Sequence, residues 1–291
     1  MDKVPAGLTA AQTSSRKGWT LAGPALLWTS LFFLAPMGLV VAYSLFRRVG
    51  GTIDTSPSLY NYRRIIDEPV FFDALRNSLE VVAITVVFSI LVAYPFAYIL
   101  AYRVPPRWQR PLLLLAVLPF WTSYVVRSYS WLLVLGKNGV VNELMTSTGL
   151  ISSPITLSNT RLATVVGFVH FFTMLTSLTI YASLTQIPES YRKAARDLGA
   201  SSFLTFLRVT LPLSMPGVVV GAFLTFVLAI GDFITPQILG GGQELLLPQA
   251  IMLQVQRRGD FPLAAALSVV LLVVVIVVYA ASAKRLTLEQ E

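Results

Sequence analysis

Apolar residues along this chain fall into six long runs separated by short polar or basic segments: Trp19–Phe46, Leu79–Tyr102, Pro111–Leu135, Leu162–Leu184, Met215–Leu239 and Phe261–Ala283. Crossing about 30 Å of hydrocarbon takes roughly 20 helical residues, so each run is long enough for one transmembrane helix. Backbone in lipid must satisfy its own hydrogen bonds, and a helix does so within one segment. The pattern predicts an all-α, polytopic membrane protein with about six spans. The third run is the weakest, because Arg127 and the stretch Ser128–Trp131 interrupt it; it reads as a shorter span followed by a half-buried segment. Pro24, Pro36, Pro95, Pro119 and Pro236 lie inside the runs. The carbonyls they free need partners on neighbouring helices, which favours a packed, kinked bundle. Lys3, Arg16 and Lys17 precede the first run, as in a signal peptide. That run is far longer than a signal-peptide core and no small-x-small site ends it, so a retained first helix is expected.

Composition agrees with this picture. Of 291 residues, 55% are apolar and 12% charged, more hydrophobic surface than a soluble domain of this length can bury. Lys and Arg number 22 against 14 acidic residues, but they sit mostly between the runs, which reads as topology rather than as a nucleic-acid surface. Arg103, Arg107 and Arg110 in one tight loop, Arg192, Lys193, Arg196 and Arg208 in another, and Lys284 and Arg285 near the end fall on the cytoplasmic side. Both termini are then cytoplasmic, and residues 47–78, 136–161 and 240–260 form the outer loops. The first outer loop carries five basic residues against this rule, but also Asp54, Asp67, Glu68 and Asp73, and it is long enough to be exported regardless. Gly240, Gly241, Gly242 and Pro248 predict a turn-rich or re-entrant last loop. The expected organisation is a cytoplasmic tail at 1–18, one membrane domain at 19–283 with a cytoplasmic loop at 188–212, and a second tail at 284–291. There is no cysteine and one histidine, which excludes disulfides, thiolate nucleophiles and Cys-ligated metal and removes most His-based metal sites.

The loop between the fourth and fifth runs has helix signals at two levels. Pro188 suits a first turn with Glu189 at the positive end of the helix dipole, Gly199 suits a left-handed stop, and Ser201 or Ser202 can cap a second helix ending near Pro212. Taken alone, these signals fit an amphipathic helix pair resting at the lipid surface. The spacing is more specific: Ala194-Ala195, Asp197, Gly199, nine residues, Val209, one residue, Leu211-Pro212. It resembles the "EAA" loop of bacterial ABC importer permeases, whose pattern is Glu-Ala-Ala, Gly, nine residues, Ile-x-Leu-Pro. Lys193 stands where that pattern has Glu. The resemblance implies a type I ABC importer permease fold and a coupling helix seated in a groove of an ATPase subunit. Arg192, Lys193, Ala194, Ala195, Asp197, Gly199, Ala200, Val209, Leu211 and Pro212 are its expected coupling residues. The small residues allow close approach, and Arg192, Arg196 and Asp197 can pair with the partner.

Three further stretches, Leu118–Trp131, Gly136–Asn142 and Gly231–Gly241, are similar to the spermidine/putrescine branch of these permeases, with a likeness running from about Tyr60 to the end of the last span. Relatives that move other small organic solutes, such as amino-acid derivatives and opines, or ferric iron share much of this sequence. Ionisable residues at membrane depth usually face a partner or a solute path. Asp232, which follows Gly231 and precedes Pro236 where the fifth helix can break, would attract a cationic solute; it would equally serve as a structural anion that pairs with Arg127 or caps a broken helix. Arg127, with Trp121, Tyr124 and Trp131 nearby, would line a cation–π site or anchor at the membrane interface. His170 reads as a hydrogen-bonded packing residue. No phosphate-binding Gly-x-x-x-x-Gly-Lys-Ser/Thr loop occurs, nor a His-Glu-x-x-His motif or nucleophile elbow, so no catalytic role is expected and ATP would be bound by partner subunits. The family implies an ATPase dimer, a second permease chain, an extracytoplasmic solute-binding protein and a bacterial inner-membrane location, with alternating access as mechanism. A stand-alone secondary transporter would instead show inverted repeats and midplane carboxylates, and a membrane scaffold would need no clustered Pro, Gly and polar residues.

Overall fold

The computed structural model describes residues 22–242 and 244–287, with side chains as far as Ala283. The expected tail at 1–18 lies outside the described residues. Helix α1 (Ala22–Ser44) crosses first, with an apolar window unburied by the rest of the chain. After it, strands β1 (Arg47–Val49) and β2 (Thr52–Asp54) pair antiparallel with Arg48 opposite Ile53. This hairpin was not among the expected elements. Its signal is Gly50-Gly51, both at positive φ, the chemistry that a two-residue turn between twisted strands requires. Helix α2 (Tyr60–Asp67) follows, and then α3 (Pro69–Tyr102), α4 (Pro106–Trp121), α5 (Tyr124–Val134), α6 (Val140–Ser147), α7 (Arg161–Gln186), α8 (Glu189–Asp197), α9 (Ser202–Gly231), α10 (Ile234–Leu239), α11 (Leu247–Leu253) and α12 (Phe261–Thr287).

Helices α1, α3, α7, α9 and α12 are each long and apolar enough to span, and α4 and α5 meet the same length and hydropathy only when taken together, as a broken span or a re-entrant pair bent by 93°. The third run is therefore not one straight helix. Pro119 has no N–H, the chain tightens to a 3₁₀ turn over Leu118–Trp121, and Thr122 goes extended before α5 begins. The Pro119 carbonyl left at the bend is not orphaned. It accepts from the Thr122 amide (3.2 Å), the Thr122 hydroxyl (2.7 Å) and Arg127 Nη1 (3.2 Å), as backbone at membrane depth demands.

Two spans are longer than hydropathy indicated. Helix α3 starts at Pro69 rather than near Leu79, because the charges in its first turns pair. Arg76 Nε lies 2.8 Å from Glu80 Oε1 one turn on, and Arg161 Nη2 lies 2.7 Å from Glu80 Oε2. Helix α9 does not end near Pro212 but runs from Ser202 to Gly231, with one π turn at Phe206–Thr210. A proline ring collides with the carbonyl four residues back, here Arg208, and the wider π turn just ahead of Pro212 relieves that collision.

The core lies where α3, α7 and α9 meet. Val81 and Val82 pack with Phe168, Phe171, Phe172, Ala229 and Ile230 in one half, and Ala93, Ala97, Ile180, Leu184 and Val218 in the other. Gly217 and Gly221 let α9 approach α7: a Cβ at Gly217 would sit 2.6 Å from the Thr179 carbonyl, and one at Gly221 2.4 Å from Thr179 Oγ1. Small residues four apart are a common device for helix contact in lipid, where no hydrophobic effect draws helices together. Polar pairs add to it, Thr176 Oγ1 to Thr225 Oγ1 at 2.9 Å and Tyr94 Oη to Ser214 Oγ at 2.7 Å.

The end of the bundle that carries the hairpin is ordered by buried side chains. Asn61 donates to the carbonyls of Ser44 and Phe46, tying α2 to the end of α1. Asn142 donates to the carbonyls of Gly136 and Ile155 and accepts from the Ile155 amide, which closes the loop around α6. Arg64 bridges Glu68 (2.6 Å) and Asp260 (3.0 Å); burial works against its charge, but the two carboxylates outweigh that and raise its pKa.

Candidate coupling loop and intramembrane polar site

At the basic end of the bundle, α8 begins after Pro188 with Glu189 in its first turn. It is closed by a complete Schellman arrangement: the Gly199 amide donates to Arg196 O (2.8 Å), the Ala200 amide to Ala195 O (3.0 Å), and Gly199 sits at φ +84°. Ser201 then caps α9, its hydroxyl accepting from the Leu204 amide at 3.2 Å. The helix, glycine turn and second helix expected from the sequence are all present.

The expected coupling residues divide into two groups. Lys193, Ala194, Asp197 and Gly199 are exposed and Ala195 and Ala200 half-buried, so the loop itself is a free surface. Val209 and Leu211 are half-buried inside α9, and Leu211 packs against the core half that holds Ile180 and Leu184. Lys193 pairs with Glu189 in its own helix (3.4 Å), an exposed pair of the kind worth about 0–1 kcal/mol. Arg192 faces inward, its guanidinium 3.8 Å from the centroid of the Tyr102 ring. Sequence reasoning missed the apolar residues on this surface: Leu198 is 89% exposed and Phe203 72%, and Tyr191 is exposed between the charges. They lie next to exposed Lys193, Arg196 and Asp197, at the basic end of the bundle.

The second site lies at the bend of α4–α5 and the break between α9 and α10. The break falls at Asp232-Phe233, not at Pro236, which sits in the first turn of α10 where a missing N–H costs nothing. Asp232 spans the gap. Its Oδ1 accepts from the amides of Ile234 (2.8 Å) and Thr235 (3.3 Å), and its Oδ2 accepts from the Thr235 hydroxyl (2.6 Å). Arg127 is buried, 8% exposed, with its guanidinium 4.1 Å from the Phe171 ring centroid and 4.9 Å from that of Tyr124. Nη1 donates to the Pro119 carbonyl; Nη2 has no hydrogen-bond partner. Helix α10, whose start Asp232 caps, packs against α5, the helix that carries Tyr124 and Arg127.

Trp131 donates from Nε1 to His170 Nδ1 at 3.0 Å, so the histidine on α7 is hydrogen-bonded. Arg127, Trp131 and His170, with Thr122 and Ser130, border a cavity of about 320 Å³. Arg127 and Trp131 border this cavity and Tyr124 lies against Arg127; Asp232 is not among the lining residues, and Trp121 is 86% exposed and makes none of these contacts. Sequence spacing could not separate Trp121 from the others, because the 93° bend that turns α5 away lies directly after it.

A family model described as the binding-protein-dependent transport system inner membrane component matches residues 93–287, which takes in the loop, both breaks and the last span. The chain belongs to this family. Among curated relatives, it is 33% identical over 243 residues to the spermidine/putrescine transport system permease protein PotB of Haemophilus influenzae, covering 83% of this chain and 84% of that one. It is 32% identical to PotB of Escherichia coli, over 83% of this chain and 88% of that one. Among solved structures, a bacterial ABC transporter involved in the import of the acidic polysaccharide alginate superposes with TM-score 0.72 at 16% identity, covering 94% of this chain and 98% of that one. That likeness bears on the fold. This permease is a multi-pass protein of the inner membrane and a subunit of an ABC importer.

Proposed function

We propose that this permease carries a polyamine such as spermidine or putrescine across the membrane, and that ATP hydrolysis in a partner ATPase dimer drives it through the loop at residues 188–212. The observation that carries the coupling reading is α8 itself. It is a short helix locked by Gly199; Tyr191 on it, Leu198 directly after it and Phe203 in the first turn of α9 stand exposed beside Lys193, Arg196 and Asp197 at the basic end of the bundle. An apolar patch rimmed by charge is the composition of a protein-docking surface. The 33% identity to permeases named for spermidine and putrescine supports the substrate. A second permease chain and an extracytoplasmic binding protein complete the assembly under this reading, and the solute passes Asp232, Arg127, Tyr124 and Trp131.

A second reading, a solute carrying an anionic group such as an amino-acid derivative, draws on one observation: the buried Arg127 with a free Nη2 beside the cavity, a charge that repels a polyamine and attracts a carboxylate. The ligand of the cognate binding protein separates the two. Calorimetric titration with spermidine and putrescine gives saturable binding if the polyamine reading holds. Binding of a carboxylated amine with no response to either polyamine overturns it.

A further inference from the structure

Three cations lie on or beside the face of α8, and two of them, Lys193 and Arg196, are exposed. Arg192 is not. Its guanidinium stacks 3.8 Å from the centroid of Tyr102, the last residue of α3, and the Tyr102 hydroxyl donates to the Leu184 carbonyl near the end of α7 (3.0 Å). From Tyr102 a row of rings continues inward. Tyr98 meets Tyr102 edge-on at 5.1 Å, Phe206 meets Tyr98 at 5.6 Å, and Tyr94 meets Phe206 at 5.7 Å, each near-perpendicular. Tyr94 then shares a hydrogen bond with Ser214 on α9. Phe206 opens the π turn of α9, and Ser214 lies one turn beyond that turn's end.

We infer that Arg192 is a positioning residue that pins α8 to the Tyr102 ring, so that displacement of α8 is delivered to α3 and, through Tyr98 and Phe206, to α9. The inference rests on the coupling reading above and assigns Arg192 to the inside of this chain rather than to an ATPase contact. The physical case has two parts. A guanidinium stays charged and stacks flat on an aromatic face, a contact that bulk water and salt weaken less than an exposed ion pair. The row it joins is built of side chains with two torsions each, interlocked edge to face, so a push at one end is not absorbed by soft rotamers. Breaking the first contact would leave α8 able to hold an ATPase but unable to move the spans.

The test uses the assembled transporter in nanodiscs with its ATPases, second permease and binding protein. ATPase co-purification is measured first, then ATP hydrolysis with and without the binding protein in the presence of spermidine. Tyr102→Leu and Arg192→Gln are each expected to lower the stimulated-to-basal ratio by about fivefold, in the range of a partly desolvated cation–π contact, while the ATPase co-purifies as in the wild type. Tyr102→Phe, which keeps the ring and loses only the hydroxyl, retains most of the ratio, and the double variant is no worse than either single one. An unchanged ratio in Tyr102→Leu overturns the inference. So does loss of ATPase association in Arg192→Gln alone, which would make Arg192 an intersubunit contact. Failure of the coupling reading itself looks different, since it would show as association that persists when residues 194–199 are deleted.

Discussion

Gly199 holds φ +84° with nothing within 4 Å of where a Cβ would stand, so replacing it with Ala meets a conformational cost and no clash. That cost is about 1–2 kcal/mol for an L-residue in the left-handed region, and it falls on the turn that aims α8. Gly199→Ala is expected to leave the membrane bundle intact and to weaken ATPase co-purification several-fold; wild-type co-purification would show that the turn does not need its left-handed residue. Asp232 poses a different question, because all three of its hydrogen bonds go to its own chain, across the break between α9 and α10. Asp232→Asn keeps an acceptor for the amides but turns a donor toward the Thr235 hydroxyl and removes the charge. Uptake should fall with ATPase association unchanged, and normal uptake kinetics would remove Asp232 from the solute path. That Asp232 caps a broken helix was one of two readings its sequence context allowed; what could not be read was that both oxygens are engaged, since that depends on where the chain breaks.

At the scale of elements, each of the five long apolar helices among the described residues falls in an expected run, because hydrocarbon thickness sets a length that composition must meet. They misplaced ends wherever charge was paired in three dimensions. The first turns of α3 look too polar to belong to a span until Glu80 is seen between Arg76 and Arg161, a residue 81 positions away. The hairpin after α1 lay in Gly50-Gly51, a local signal that a search for long runs passes over. Pro212 suggested a helix end and instead sits well within a continuous helix, because a π turn just ahead of it absorbs its collision. The contact of α9 with α7 through Gly217 and Gly221 was also hidden, since a pair of glycines in a run of Val, Ala and Leu has no polarity to mark it. Gly221→Leu is expected to force the two helices apart, at about 1–3 kcal/mol for overpacking of this kind, and to lower the thermal midpoint of the detergent-solubilised protein. An unchanged midpoint would mean that the close approach contributes nothing.

Across the whole molecule, the parts form a chain of contacts from one face to the other. The Schellman-locked α8 stands on the ring of Tyr102, the aromatic row leads into the core of α3, α7 and α9, and α9 ends at the Asp232 break beside Arg127 and its cavity. The helix, glycine turn and helix of the loop were legible in the sequence because its spacing of small residues, Gly and Pro is strict; the arrangement of the polar residues was not, because the bend that parts Trp121 from Tyr124 and Arg127 is a property of packing. Under the proposed coupling, α8 is the place where an external force enters. The most direct test is to delete residues 194–199 from the full transporter and to measure ATPase co-purification together with uptake. Both are expected to be lost while the protein still reaches the membrane and purifies as a folded species, and retention of ATPase association with uptake intact would contradict a coupling role for α8.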